Sequence, residues 1–453
     1  MLFDFLEESR AGKQKVVQLE PVSHYRNSLQ LDEFVKRAGA SGDAQLLRPF
    51  LEEYLNSVIR LNDPRYIGHQ VARPHFASAI ADLVNGLTNN GMAVYEMGPG
   101  PVTVEKYVIE WLLQFIPEAS WSNANGFLTH GGSIANLTAL LAARGVTDPS
   151  SWESGVDQSL AFLIPDSSHY CLKRAICILG YGEQSIVYLP TNSVGQIIPE
   201  SVQPSYEHAI AKGKKPVVIC ANAGSTPTGL YDDLERIGEF ADSNDLWFHV
   251  DGAHGASALV SERHRDLLSG IEYADSITWD QHKLMQTSAL CTAVLFRESE
   301  SINAIFQQNA PYLNQGWDQD FPNLFRQTVE CTKVPMGLKF FLCLLAVGSK
   351  GMGSFVDQLF DQTQRIHDLI ESTDGFSCVC QPQSNILCFQ YRPEQNDAFE
   401  IRDQIVNQGD FYLTQTELAG QKCFRFTVTS PETDEVIVKQ LLDRIEKTAL
   451  AIG

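Results

Sequence analysis

The stretch "KKPVVICANAGSTPTGLYDDLERIGEFADSNDLWFHVDGAHG" (214–255) decides the fold. "PVVICAN" and "LWFHV" are short apolar runs that read as strands buried on both faces. Between them, "YDDLERIGEFADSND" has the length and the acidic opening of a helix. Strand, helix and strand at this spacing form a parallel β-α-β unit.

The same rhythm extends in both directions. Upstream, "NGFLTHGGS" is a strand running into a glycine turn, followed by the helix "IANLTALLAARG". "LAFLIP" (160–165) is a strand, and a helix is expected from Ser168 to Leu179. "SIVYLP" is a further strand, and downstream come "DSITW" and "ALCTAVLF". The expected class is α/β, a large domain with a mainly parallel sheet. After about Met352 the order changes to helix, strands "FSCVC" and "NILCFQY", helix, strand "CFRFTV" and helix, which describes a smaller α+β unit. The expected division is a helical N-terminal segment (1–60), a large α/β domain (61–350) and a small C-terminal α+β domain (351–453).

The formal net charge of −21 argues against nucleic acid and anionic membrane as partners, because both reward basic patches. No apolar run reads as a bilayer span. The start, "MLFDFLEESR", has acids where an export signal carries basic residues, so a cytoplasmic location is expected. Ten cysteines are scattered, mostly in apolar runs, and the close pair Cys378 and Cys380 lacks the two-residue spacer of zinc or redox motifs. Free thiols in a reducing compartment follow.

In open α/β sheets ligands sit beyond the carboxyl ends of the strands, so the residues there matter most. "THGGSIAN" follows the first strand. Gly131, Gly132 and Ser133 offer backbone N–H groups and a hydroxyl at a helix N-terminus, suited to a phosphate or simply to a turn with an N-cap. His169, in "DSSHYCLKRA", opens the next helix, either over the sheet edge or towards solvent. Ser225 and Thr226 lie in the loop after "PVVICAN". Asp251 ends "LWFHVD", where a carboxylate needs a cationic partner. "HVDGAH" also admits a metal reading, with His249, Asp251 and His254 as ligands. Lys283, in "DQHK", reaches the same edge one β-α-β unit later, and a buried amine, made neutral by desolvation, is a nucleophile for a carbonyl. An anion cradle, an imidazole, a carboxylate and a lysine at successive strand ends suit pyridoxal 5′-phosphate.

"HVDGAHGASAL", "ADSITWDQHKLM", "PDSSHYCLKRA" and "LTHGGSIANLTALLAAR" resemble the group II pyridoxal-dependent amino acid decarboxylases, which include glutamate, cysteine sulfinate, diaminobutyrate and aromatic amino acid decarboxylases. The resemblance runs from about Asp63 to Ile445. It implies a PLP-dependent transferase-like fold (fold type I), a homodimer with active sites at the interface, and loss of the α-carboxylate as CO₂. It also implies that Lys283 joins the cofactor aldehyde, with His282 beside it near the phosphate. Asp251 is implied at the pyridine nitrogen, and His169 on the ring face, where it also serves to return a proton. Gly132, Ser133 and Thr226 are implied in the cofactor site, and Ala253 against the ring.

Two departures stand out. The family's usual Asn-Pro-His-Lys is "DQHK" here, placing Asp280 near the phosphate site. The family's mobile-loop tyrosine has no counterpart, since no tyrosine occurs from Leu313 through Lys339, and Phe321 stands roughly in its place. Members with phenylalanine there divert the reaction to an aldehyde, ammonia and peroxide, so either outcome is open. Among the segments that the family uses for substrate, His69 and Gln70 offer a polar floor. Arg425, in "CFRFTVTSP", is expected either to meet a side-chain acid or to brace the small domain. A small acidic amino acid is the expected substrate, with a diamino or aromatic amino acid as the alternative.

Overall fold

The computed structural model describes all residues except 118, 304, 305, 307–321, 396 and 453. The chain forms two compact units. One comprises Met1–His69, Gln362–Gln381 and Ile386–Gly453, and the other Gln70–Asp361 and Pro382–Asn385. The N-terminal segment thus groups with the C-terminal residues.

Twelve strands are described. β1 is Tyr66–Ile67, β2 Asn125–Thr129, β3 Leu160–Pro165, β4 Ile186–Leu189, β5 Lys215–Asn222 and β6 Trp247–Asp251. β7 is Ser276–Asp280, β8 Thr292–Phe296, β9 Phe376–Cys378, β10 Ile386–Tyr391, β11 Tyr412–Leu418 and β12 Gln421–Thr427.

The larger unit holds a seven-stranded sheet in the order β2-β8-β7-β6-β5-β3-β4. β7, β6, β5, β3 and β4 pair in parallel, and β8 runs antiparallel to both of its neighbours. β6 carries the burial pattern of a two-sided strand, with all five residues buried. The helix Gly132–Thr147 lies across the sheet with Ala135, Ala139, Ala142 and Ala143 fully buried. Side chains this small let the helix come close to Phe127, Phe162, Val218 and Phe296 in one apolar cluster. Each aromatic ring buried there contributes roughly 1.5–3 kcal/mol through the area it removes from water. That packing fixes the helix N-terminus over the carboxyl edge of the sheet.

The smaller unit carries the order β1-β11-β12-β10-β9, antiparallel except for the β1–β11 pair. β1 and β11 are not among the strands expected from sequence. β11 turns into β12 through Ala419 (φ 48°) and Gly420 (φ 78°), with Leu418 opposite Gln421. Two consecutive positive φ values make a tight hairpin, and alanine at the first position hides its signature.

Met336–Glu371 is long and apolar enough by composition alone to cross a membrane, a stretch not singled out in the sequence. Gly348 interrupts it at φ 69°, so the apolar part is divided between two helical arms.

Candidate active site

The carboxyl ends of β2, β5, β6 and β7 gather the side chains that sequence places there. β2 ends at Thr129, and Gly131 (φ 99°) turns the chain into the helix beginning at Gly132. A Cβ on Gly132 would stand 3.2 and 3.3 Å from the Asp280 carboxylate oxygens and 3.4 Å from the Ala253 Cβ. The glycine therefore keeps open a small space bounded by the ends of β6 and β7. Ser133 is exposed at the start of the same helix, and its hydroxyl meets the Cys171 thiol.

His169 is not inside its helix, as expected from sequence, but caps it. The helix runs Tyr170–Ile178, and His169 Nδ1 accepts a hydrogen bond from the Cys171 backbone N–H at 3.3 Å. With Nδ1 accepting, the neutral ring carries its proton on Nε2. Burial lowers the His169 pKa, outweighing the attraction of Asp251. The Lys283 charge lowers it further, and that of Asp280 acts the other way.

Asp251 accepts from Asn136 Nδ2 at 2.9 Å on one oxygen and from the Ala253 backbone N–H at 3.2 Å on the other. Lys283 Nζ lies 3.1 Å from the buried Asp280 carboxylate. Asp280 also accepts from the Thr292 hydroxyl at 2.5 Å, and His282 Nε2 stands 3.7 Å away. His282 Nδ1 is 2.9 Å from the Cys291 carbonyl. Burial acts to raise the Asp280 pKa, but the Lys283 and His282 charges and the hydrogen bonds from Thr292 and Lys283 together hold it below the usual value. Sequence marks Asp280 as an awkward charge. In the structure it is the counter-ion of Lys283.

That arrangement has a pH consequence. A depressed carboxyl stabilises the fold above its unfolded pKa, and this stability is lost as pH falls through the folded value. Asp280→Asn is expected to flatten the fall in melting temperature between about pH 5 and about pH 3, where carboxylates titrate. Thermal melts across that range check it, and a fall as steep as the wild type's would contradict the ion pair.

Thr226 lies half-buried in the loop after β5, and the neighbouring Ser225 hydroxyl meets that of Thr228 at 2.9 Å. The metal alternative does not assemble. His249 is fully buried and bonds Asn136 and Ser276, while His254 Nε2 bonds Asn385 at 2.7 Å. Phe321, with the beginning of the 313–339 segment, lies outside the described residues.

In the smaller unit, His69 Nε2 meets the Tyr412 hydroxyl at 2.9 Å, and Tyr412 stacks on Tyr66. Arg425, only 6% exposed, donates to the Thr414 hydroxyl at 3.1 Å. Burial lowers the His69 pKa, and the Arg425 and Arg402 charges lower it further. Gln70 begins the larger unit. Sequence reasoning missed Asn136, although "GGSIAN" sets it three residues after Ser133 on the same helical face.

Residues 49–392 match the pyridoxal-dependent decarboxylase conserved domain. The chain belongs to the pyridoxal-dependent decarboxylases. It is 28% identical to the acidic amino acid decarboxylase GADL1 of Mus musculus, over 96% of this chain and 81% of that protein. It is 26% identical to the L-2,4-diaminobutyrate decarboxylase of Acinetobacter baumannii, over 89% and 83% of the two chains. The crystal structure of mouse CSAD shares the fold, with a TM-score of 0.89 at 23% identity over 99% of this chain and 97% of that one. The protein is thus a pyridoxal-phosphate-dependent amino acid carboxy-lyase of fold type I. The strand-end residues fit that cofactor. Gly132 opens a cradle at a long helix N-terminus, and an acceptor carboxylate and a lysine share the same edge.

Proposed function

We propose that this decarboxylase acts on a small acidic L-amino acid of the aspartate, glutamate or cysteine sulfinate type, releasing CO₂ and the amine. The observation that carries this reading is Arg425, a buried guanidinium in the same unit as His69. A planar, permanently charged fork suits a carboxylate or sulfinate far better than an apolar side chain. The relative GADL1, an acidic amino acid decarboxylase by name, agrees with this class.

When bound, the cofactor supplies a ring that accepts the electron pair left as the bond from Cα to the carboxylate breaks. Lys283 would hold the aldehyde carbon. Asp251 would receive the ring nitrogen, and Gly131, Gly132, Ser133, Thr226 and His282 the phosphate. Ala253 and His169 would lie against the ring, and His169, with its proton on Nε2, would return a proton to Cα. His69, Gln70 and Arg425 would receive the substrate side chain.

Two properties complete the proposal. The helix Phe76–Thr88 exposes Phe76, Ile80, Leu83 and Leu87 in one stripe, which supports a homodimer. A species that sediments as a fully active monomer would contradict this. All ten cysteines are free, which supports a reducing, cytoplasmic location.

The test is a product assay in air on cofactor-loaded protein with acidic, diamino and aromatic amino acids. An amine from an acidic substrate is expected. Arg425→Met should raise KM for that substrate roughly 10- to 100-fold, the effect of one charge-assisted contact. An unchanged KM would return Arg425 to a bracing role, and turnover of diaminobutyrate or an aromatic amino acid instead would overturn the substrate class. The second reading is the aldehyde-forming reaction, favoured by the absence of tyrosine from Leu313 through Lys339. Aldehyde with ammonia in the same assay would establish it.

A further inference from the structure

We propose that a one-way hydrogen-bond chain, Trp247 to Ser276 to His249 to Asn136, positions Asp251 as an acceptor, making these four buried or nearly buried residues positioning residues for the cofactor site. The inference rests on the reading of Asp251 as the partner of the ring nitrogen.

The direction is fixed at both ends. An indole N–H only donates, and Trp247 Nε1 donates to Ser276 Oγ at 2.9 Å. An ionised carboxylate only accepts, and Asp251 takes the Asn136 amide N–H at 2.9 Å. Asn136 must therefore turn its oxygen the other way. There it accepts the Thr278 hydroxyl at 2.6 Å and meets His249 Nε2 at 2.9 Å, so Nε2 carries the imidazole proton. His249 Nδ1 is then left as an acceptor, and Ser276 Oγ at 2.9 Å supplies the hydrogen while receiving the one from Trp247.

Each group in the series has a single consistent assignment. Reversing any one link would set two acceptors, or two donors, face to face in the interior, where an unmade hydrogen bond is costly. The imidazole suits this role because burial lowers its pKa to about 4, keeping it neutral with one donor and one acceptor. The ladder pairs His249 with Ser276 and Asp251 with Thr278, so neighbouring strands hold the chain in register.

The test compares His249→Leu, His249→Gln and Ser276→Ala with a matched control, Trp279→Phe. Trp279 is a fully buried β7 indole whose N–H donates to Ser257, outside this hydrogen-bond series. Pyridoxal phosphate binding and the visible spectrum of the bound cofactor are measured for each holoprotein. His249→Leu and Ser276→Ala are expected to weaken binding roughly tenfold, the effect of one buried hydrogen bond, and to alter the spectrum. His249→Gln, which keeps a donor towards Asn136, should restore both, and Trp279→Phe should match the wild type. If His249→Leu does not fold, Ser276→Ala alone decides. Wild-type affinity and spectrum in Ser276→Ala would overturn the proposal, as would equal changes in the control. A wild-type protein that binds no pyridoxal phosphate would instead overturn the cofactor site itself, and the chain's role with it.

Discussion

Lys283→Ala is expected to lower decarboxylation by on the order of 10⁴-fold or more, because the variant has no amine to hold the cofactor aldehyde. The loss must be separated from damage to the fold. Lys283 is the ion-pair partner of Asp280 at 3.1 Å, and Asp280 is 2% exposed. Removing the ammonium leaves that carboxylate with Thr292 and the more distant His282, which costs about 3 kcal/mol in stability. Lys283→Arg keeps a cation beside Asp280 but offers no nucleophilic amine, since guanidinium does not deprotonate in proteins. The arginine variant is therefore expected to melt closer to the wild type than the alanine variant and to be just as inactive. Rates and melting curves for both check this, and appreciable activity in either would remove Lys283 from the centre of the reaction.

Asp251→Asn is expected to reduce the rate by on the order of 10²–10³-fold and to lower stability by about 1–3 kcal/mol. The replacement has the same shape but only one acceptor oxygen. Asp251 accepts from Asn136 on one oxygen and from the Ala253 N–H on the other, so the new amide NH2 faces one of these two donors. The charge proposed to face the ring nitrogen is removed as well. Without it, the ring is a poorer acceptor for the electron pair released on decarboxylation. Steady-state rates below the temperature at which melts show the variant unfolding check this, and a variant retaining wild-type kcat would contradict the role proposed for Asp251.

Much of this site is legible in the sequence because a parallel sheet makes its carboxyl ends predictable. Once "LWFHV" and "DSITW" read as strands, Asp251 and Lys283 arrive at one edge through connectivity alone. The family motifs add the cofactor. Periodicity does not reveal which strands become neighbours. β8 inserts antiparallel between β2 and β7, and the two-residue β1 pairs with β11 far along the chain. Both depend on long-range pairing that leaves no local pattern.

Side-chain partners are less legible still. Asp280 reads from sequence as an unfavourable charge near a phosphate, yet in the structure Lys283 and Thr292 meet it. His249 and His254 look like metal ligands when spelled out as "HVDGAH". Strand alternation and the following turn send the first to Asn136 and the second to Asn385. Asn136 is inconspicuous as a letter in a helix, because its importance comes from the carboxylate that it faces.

The most direct measurement is borohydride reduction of the protein loaded with pyridoxal phosphate, followed by digestion and mass spectrometry. The phosphopyridoxyl group is predicted on the peptide carrying Lys283. Its stable attachment instead to a buried lysine such as Lys333 or Lys339, or to none, would contradict the site described here.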